Sequence, residues 1–192
     1  MIRRDEAPGE GNGEVAEGDA ADAAGGRHDP ARRLVEEGRH TEAAELYSAA
    51  VTADPQDVGA LLGLGSVLLS LARYEDAERE LRRALRIAPE MGTVRHQLGI
   101  TLFRRGVYST AATELRRVVE LDSDNAAAYL LLGEALNQLG DPDAAIEALE
   151  HALRLQPRNS RIYYALGISY DRKGVPERAA EMYRLSRELG SG

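Results

Sequence analysis

Residues 126–159 read AAAYLLLGEALNQLGDPDAAIEALEHALRLQPRN, and this stretch decides the fold. Its first half sets Tyr129, Leu132, Gly133 and Leu136 at i, i+3, i+4 and i+7, one face of an α-helix. Gly140 then interrupts the pattern with the residue type that most readily takes the left-handed conformation ending a helix. Asp141-Pro142 restarts it, a side-chain N-cap followed by proline in the first helical position. The second half carries Ala145, Ile146, Leu149, Ala152 and Leu153 on one face. Small residues at Gly133 and Ala145 let the two helices approach closely, since a larger side chain at either place would push the axes apart.

The pattern recurs along the chain with a period of 34 residues. Gly65, Gly99, Gly133 and Gly167 are in phase, with Ala31 extending the series backwards. Ala43, Ala77, Ala111, Ala145 and Ala179 form a second series, and Tyr47, Leu81, Leu115, Leu149 and Tyr183 a third. The midpoint holds Gly38, Ala72, Gly106, Gly140 and Gly174, and the end Pro55, Pro89, Ser123, Pro157 and Ser191. Asp29-Pro30 and Asp54-Pro55 repeat the helix-start signal of Asp141-Pro142. Strand-period alternation is absent, so the chain is expected to be all-α, built of antiparallel helix pairs.

On these residues the sequence resembles the tetratricopeptide repeat (TPR) family over about residues 24–192. Tyr129, Leu132, Gly133, Leu136, Ala145, Leu149, Ala152 and Pro157 follow the family pattern, as do Tyr163, Leu166, Gly167, Tyr170, Ala179, Tyr183 and Ser186. Arg95 and Ser123 depart from it in the third unit, and Arg27 and Pro30 truncate the first helix of the first. The resemblance implies a right-handed α-solenoid whose first helices line a concave groove. The expected organisation is an acidic Gly/Ala-rich tail over residues 1–28 and a repeat domain over 29–192. That domain has a degenerate unit (24–57) followed by units 58–91, 92–125, 126–159 and 160–192.

Composition narrows the function. Net charge is −8 over 192 residues, and the 24 basic side chains are 23 arginines and Lys173, interleaved with acids. That balance argues against nucleic-acid binding, which needs a basic footprint. Residues 1–29 hold eight acids against three arginines, with Val15 the one large apolar residue from Ala7 to Gly26. Such a segment cannot bury enough apolar area to order itself, and a disordered arm is expected. The longest uncharged stretch, Val58 to Ala72, is too short to span a bilayer, which needs about 20 residues. No apolar leader follows Arg3-Arg4, so a cytoplasmic protein without membrane insertion is expected.

Chemistry-bearing constellations are missing. There is no cysteine, and His28, His40, His96 and His151 never fall at i, i+4 metal-ligand spacing. Gly63-Leu64-Gly65 lacks the preceding strand and third glycine of a dinucleotide loop. No nucleophile elbow or phosphate loop occurs, so neither catalysis nor a cofactor is expected.

The resemblance instead implies a partner-binding groove. Its expected lining includes Ser66 from the second unit and His96, Ile100, Phe103 and Arg104 from the third. Glu134, Asn137 and Gln138 come from the fourth, and Tyr164, Ile168, Asp171 and Arg172 from the fifth. Leu62, Leu69 and Leu130 fall at groove positions too but read as packing between neighbouring helices. Leu62/Ser66, His96/Ile100, Leu130/Glu134 and Tyr164/Ile168 stand where one family subtype places a Lys and Asn clamp for acidic peptide termini; that clamp is absent. The expected function is a non-enzymatic adaptor, scaffold or assembly factor taking a peptide or helix of a protein partner. The alternatives are a dedicated chaperone for secretion or membrane-assembly clients, a regulatory subunit of a separate catalytic chain, and a scaffold that homo-oligomerises through the C-terminal repeat.

Overall fold

The computed structural model describes residues 28–190, so the acidic tail expected over 1–28 lies outside the described residues except for His28. Ten helices follow one another among them. They are α1 (Asp29–Glu36), α2 (His40–Ala53), α3 (Val58–Ser70), α4 (Tyr74–Ile87) and α5 (Gly92–Arg104). The rest are α6 (Tyr108–Leu121), α7 (Ala126–Leu139), α8 (Pro142–Leu155), α9 (Ser160–Lys173) and α10 (Pro176–Gly190). Helices pair sequentially and antiparallel, and each second helix packs on the first helix of the next unit. None is long and apolar enough to cross a membrane.

The turn inside each unit obeys one backbone rule. Gly38, Gly106, Gly140 and Gly174 all have φ between +75° and +79°, and Ala72 takes the same role at φ +57°. An L-residue with a Cβ in that region gives up about 1–2 kcal/mol, so repeat geometry overrides local preference at Ala72.

Three of the longer first helices, α3, α7 and α9, and the second helix α8 start with a side-chain cap. Asp57, Asn125 and Asp141 each accept a hydrogen bond from a backbone N–H three residues on, at 2.9–3.1 Å. Asn159 accepts from the Arg161 N–H at 3.0 Å. The start signal at Asp141-Pro142 therefore opens α8, but Asp54-Pro55 does not open a helix. Asp54 ends α2 and accepts from the Gln56 N–H at 3.0 Å, a turn closed on itself, and Asp57 is the cap of α3. Asp29 likewise lies inside α1, with His28 at the cap position.

The phased glycines explain the tight pairing. A Cβ on Gly133 would lie 2.4 Å from Leu149 Cγ and 3.2 Å from the Ala145 carbonyl oxygen. The same arrangement pairs Gly65 with Leu81, Gly99 with Leu115 and Gly167 with Tyr183. Leu81, Leu115 and Leu149 are fully buried, each worth about 1.5–3 kcal/mol in area removed from water. The core is thus a continuous row along the solenoid, with each unit burying its neighbour's apolar face.

Candidate functional site

First helices of successive units touch one another directly, α3 on α5, α5 on α7 and α7 on α9, whereas second helices make no comparable contacts. The array therefore curves with its first helices inside. The concave wall carries most of the residues singled out above, but in three different conditions.

Some are accessible. Tyr164 is 56% exposed, its ring 5.7 Å from that of Tyr183. Arg104 and Gln138 are exposed, and Ser66, His96, Ile100 and Ile168 are half-buried. Phe103 is also half-buried but leans into the core, edge-on to Tyr108 at 5.4 Å.

Others are engaged with neighbouring repeats. Glu134 accepts both Nε and Nη2 of Arg161, at 2.7 and 2.5 Å, a bidentate pair bridging α7 and α9. Hydrogen bonding to Glu134 holds the Arg161 guanidinium above its ordinary pKa. Asp171 accepts the Tyr183 hydroxyl at 2.7 Å. Burial and then that bond push the Tyr183 phenol to about 12, so it remains a neutral donor.

Asn137 is a correction. It is 3% exposed, its Nδ2 donating to the Ala165 carbonyl at 3.2 Å and its Oδ1 accepting the Ser169 hydroxyl at 2.9 Å. Arg172 donates to the Asn137 carbonyl from across the same joint. Asn137 and Ser169 thus form a buried seam between units instead of a groove contact. The seam exists because small Ser169 lets α9 close over the amide. Leu130 is buried as expected for a packing residue.

Burial lowers the His96 pKa from its ordinary 6.5, with the charge of Asp122 acting the other way. A depressed histidine favours the unfolded state as it gains its proton, so its contribution to stability is complete above pH 6.5 and is lost as pH falls through the lower, folded value. Urea midpoints should accordingly fall between pH 7.5 and 5.5, and His96→Gln should flatten that slope. An unchanged slope would remove His96 from the account.

One cleft lies outside the repeat pattern. Between α1 and α3 lies a largely apolar hollow of about 320 Å³, lined by Arg32, Val35, Tyr47, Gly63, Ser66 and Ser70 among others. Its signal was Gly63, which stands where the other full units have Gln97, Leu131 and Ala165. A Cβ there would lie 2.3 Å from the Tyr47 ring, so the glycine seats the ring that floors the cleft. A larger hollow of about 530 Å³ is lined by charged side chains such as Glu78, Arg82 and Arg105, and one of about 510 Å³ mixes charged residues such as Glu45, Asp76 and Arg79 with Leu64, Leu68 and Leu71. Among the described residues, no group of three or more His, Asp or Glu is placed to hold a metal ion.

A family model described as "Tetratricopeptide repeat" matches residues 34–96 and 102–167. No curated protein matches the chain. Solved structures do, including MamA (26% identity, 84% of this chain and 94% of that one, TM-score 0.77). MamA AMB-1 gives 30% identity over 86% and 98% of the two chains, with a TM-score of 0.80. YrrB, described as "a TPR protein with an unusual peptide-binding site", gives 26% identity over 83% and 82%, with a TM-score of 0.74.

Proposed function

The chain belongs to the tetratricopeptide repeat family, and from that premise we propose that it is a non-enzymatic protein-interaction module, an adaptor or assembly factor whose concave face receives a peptide or helix of a partner. Repeat proteins of this family are generally scaffolds without catalysis. The observation that carries the reading is apolar surface left on the inner helices, the exposed Tyr164 ring with the half-buried Ile168 on α9 and the half-buried Ile100 on α5. Tyr164, at 56% exposure, is the most exposed large apolar side chain among the described residues. The peptide-binding site of YrrB, a chain of the same architecture, supports it. We place the protein in the cytoplasm, where its cysteine-free sequence carries no redox requirement.

Ile100→Arg/Tyr164→Ala, once circular dichroism has matched its helicity to wild type, should lose one or more proteins that wild type retains from source-cell lysate. Truncating a central aromatic anchor typically costs about 2 kcal/mol or more, a factor of about 30 in affinity. Identical capture by both proteins would move the site off the groove.

Self-assembly through the last repeat is the weaker reading. In units one to four, the residue facing the following unit is Val51, Leu85, Val119 or Leu153; the fifth has Arg187 there. Ser186, beside it, spends its hydroxyl on the Ser160 carbonyl at 2.8 Å.

A further inference from the structure

Resting on the groove reading above, we propose that the partner segment is an acidic peptide that anchors one bulky apolar side chain in the Tyr47–Gly63 cleft. The cleft is specific to this end of the array. Its walls are low because α3 presents Ser66 and Ser70 where α5 presents Ile100 and Arg104. The α1 wall is short, eight residues against 13–15 in every other helix. A hollow of about 320 Å³ admits one large apolar side chain with part of its backbone. Its polar lining is the hydroxyls of Ser66 and Ser70, the guanidinium of Arg32 and the carboxylate of Glu36, so the charges at the cleft itself balance and the acidic preference comes from Arg104 and Arg172 further along the groove.

Charge selects the rest of the peptide. Glu134 is consumed by Arg161, and Asp171 by the Tyr183 hydroxyl, which leaves Glu36 as the inner carboxylate with no such partner. Arg32, Arg104 and Arg172, by contrast, have no carboxylate partner among the described residues. Arg32 interacts with the neutral Tyr47 phenol and Arg172 with a backbone carbonyl. These three cations stand two units apart along the groove. With first helices about 10 Å apart, that is roughly 20 Å, or about six residues of extended chain. A protein of net charge −8 would attract a basic peptide by its overall field. Preference for an acidic one is therefore diagnostic of the inner wall.

The test uses the full chain and three fluorescein-labelled 14-residue peptides. The first has one Leu near an end and Glu at six-residue spacing; the second replaces Glu by Lys, the third Leu by Ser. The first should bind at least tenfold tighter than either other, and the margin over the Lys peptide should shrink as salt rises. Ser66→Phe, which fills the cleft, should erase the Leu dependence, and Arg104→Gln should reduce the Glu preference. A Lys peptide that binds as well or better, a Leu→Ser change without effect, or no binding of the first peptide at about 1 mM each overturns the proposal. If the Lys peptide binds and Ile100→Arg abolishes that binding, the groove reading survives and this inference falls. Peptide binding indifferent to Ile100→Arg removes both. Tighter binding by the full chain carrying Glu14→Gln/Glu17→Gln would assign the cleft to the chain's own N-terminal segment and overturn the commitment to a separate partner.

Discussion

Gly133→Ala is expected to lower the stability of the fold by about 2 kcal/mol, even though alanine is the better helix former. Propensity alone favours the substitution by about 1 kcal/mol in a helix interior. Against it, the new Cβ would sit 2.4 Å from Leu149 Cγ and 3.2 Å from the Ala145 carbonyl oxygen. Cγ is the branch point of a fully buried leucine, and the carbonyl belongs to the helix backbone, so neither can swing aside. The helices must separate. Overpacking of this kind costs about 1–3 kcal/mol and can exceed that range; with two immovable atoms in the way the cost is placed at about 3 kcal/mol, which less the propensity gain leaves a net loss of about 2. For a chain of this size the loss appears as a fall in Tm of about 4–8 °C. Leu149→Ala opens a cavity and costs about 2–5 kcal/mol alone, but the double variant should lose about 1 kcal/mol less than the two single losses together, because each change relieves the other. A Tm that rises in Gly133→Ala would mean that the helix pair is looser than described.

Ser186→Ala/Arg187→Leu is expected to make the protein self-associate. The pair of residues before and at the outward position is Ala50-Val51, Ala84-Leu85, Val118-Val119 and Ala152-Leu153 in the first four units. All four of the outward residues pack into the core. The double substitution gives α10 the same character, and its exposed face then matches the surface on which each preceding unit stacks. Head-to-tail contact does not close on itself, so assembly should be open-ended. Sedimentation should show a weight-average mass that rises with concentration over about 10–500 µM, the range of a micromolar-to-millimolar contact. Wild type should stay near its 20.9 kDa monomer mass. A monomeric double variant would show that Ser186 and Arg187 do not terminate the array.

Helix pairing was legible in the sequence because the repeat states the same packing solution five times. A glycine in phase with a leucine sixteen residues on is a contact that needs no coordinates to read. Polar residues were less legible, for a definite reason. The period fixes which face of its helix a residue occupies, but not whether the adjacent first helix covers that face. Asn137 and Gln138 are neighbours on the inner side of α7, yet Asn137 is sealed by α9 and Gln138 is exposed. The difference turns on Ser169, one unit away and small enough to admit the amide. Asp54-Pro55 misleads for another reason. An aspartate before proline suits a helix cap and a turn closed on its own side chain equally well, and only the position of Asp57 chooses between them. The Tyr47 cleft was hidden because it needs three departures together, a short α1, Gly63 and two serines, none informative alone.

Site-specific photocrosslinking tests most directly the claim that the inner face is where the partner sits. The chain has no cysteine, so a single introduced thiol carries a benzophenone label without background. Labels at Thr93→Cys, Ala127→Cys and Gln138→Cys lie on exposed positions of the inner helices α5 and α7, and labels at Ser48→Cys and Thr113→Cys on exposed positions of α2 and α6. In source-cell lysate the three inner positions should crosslink to one and the same protein, and the two outer ones should not. Adducts formed only from Ser48→Cys or Thr113→Cys would place the partner on the convex side and contradict the account.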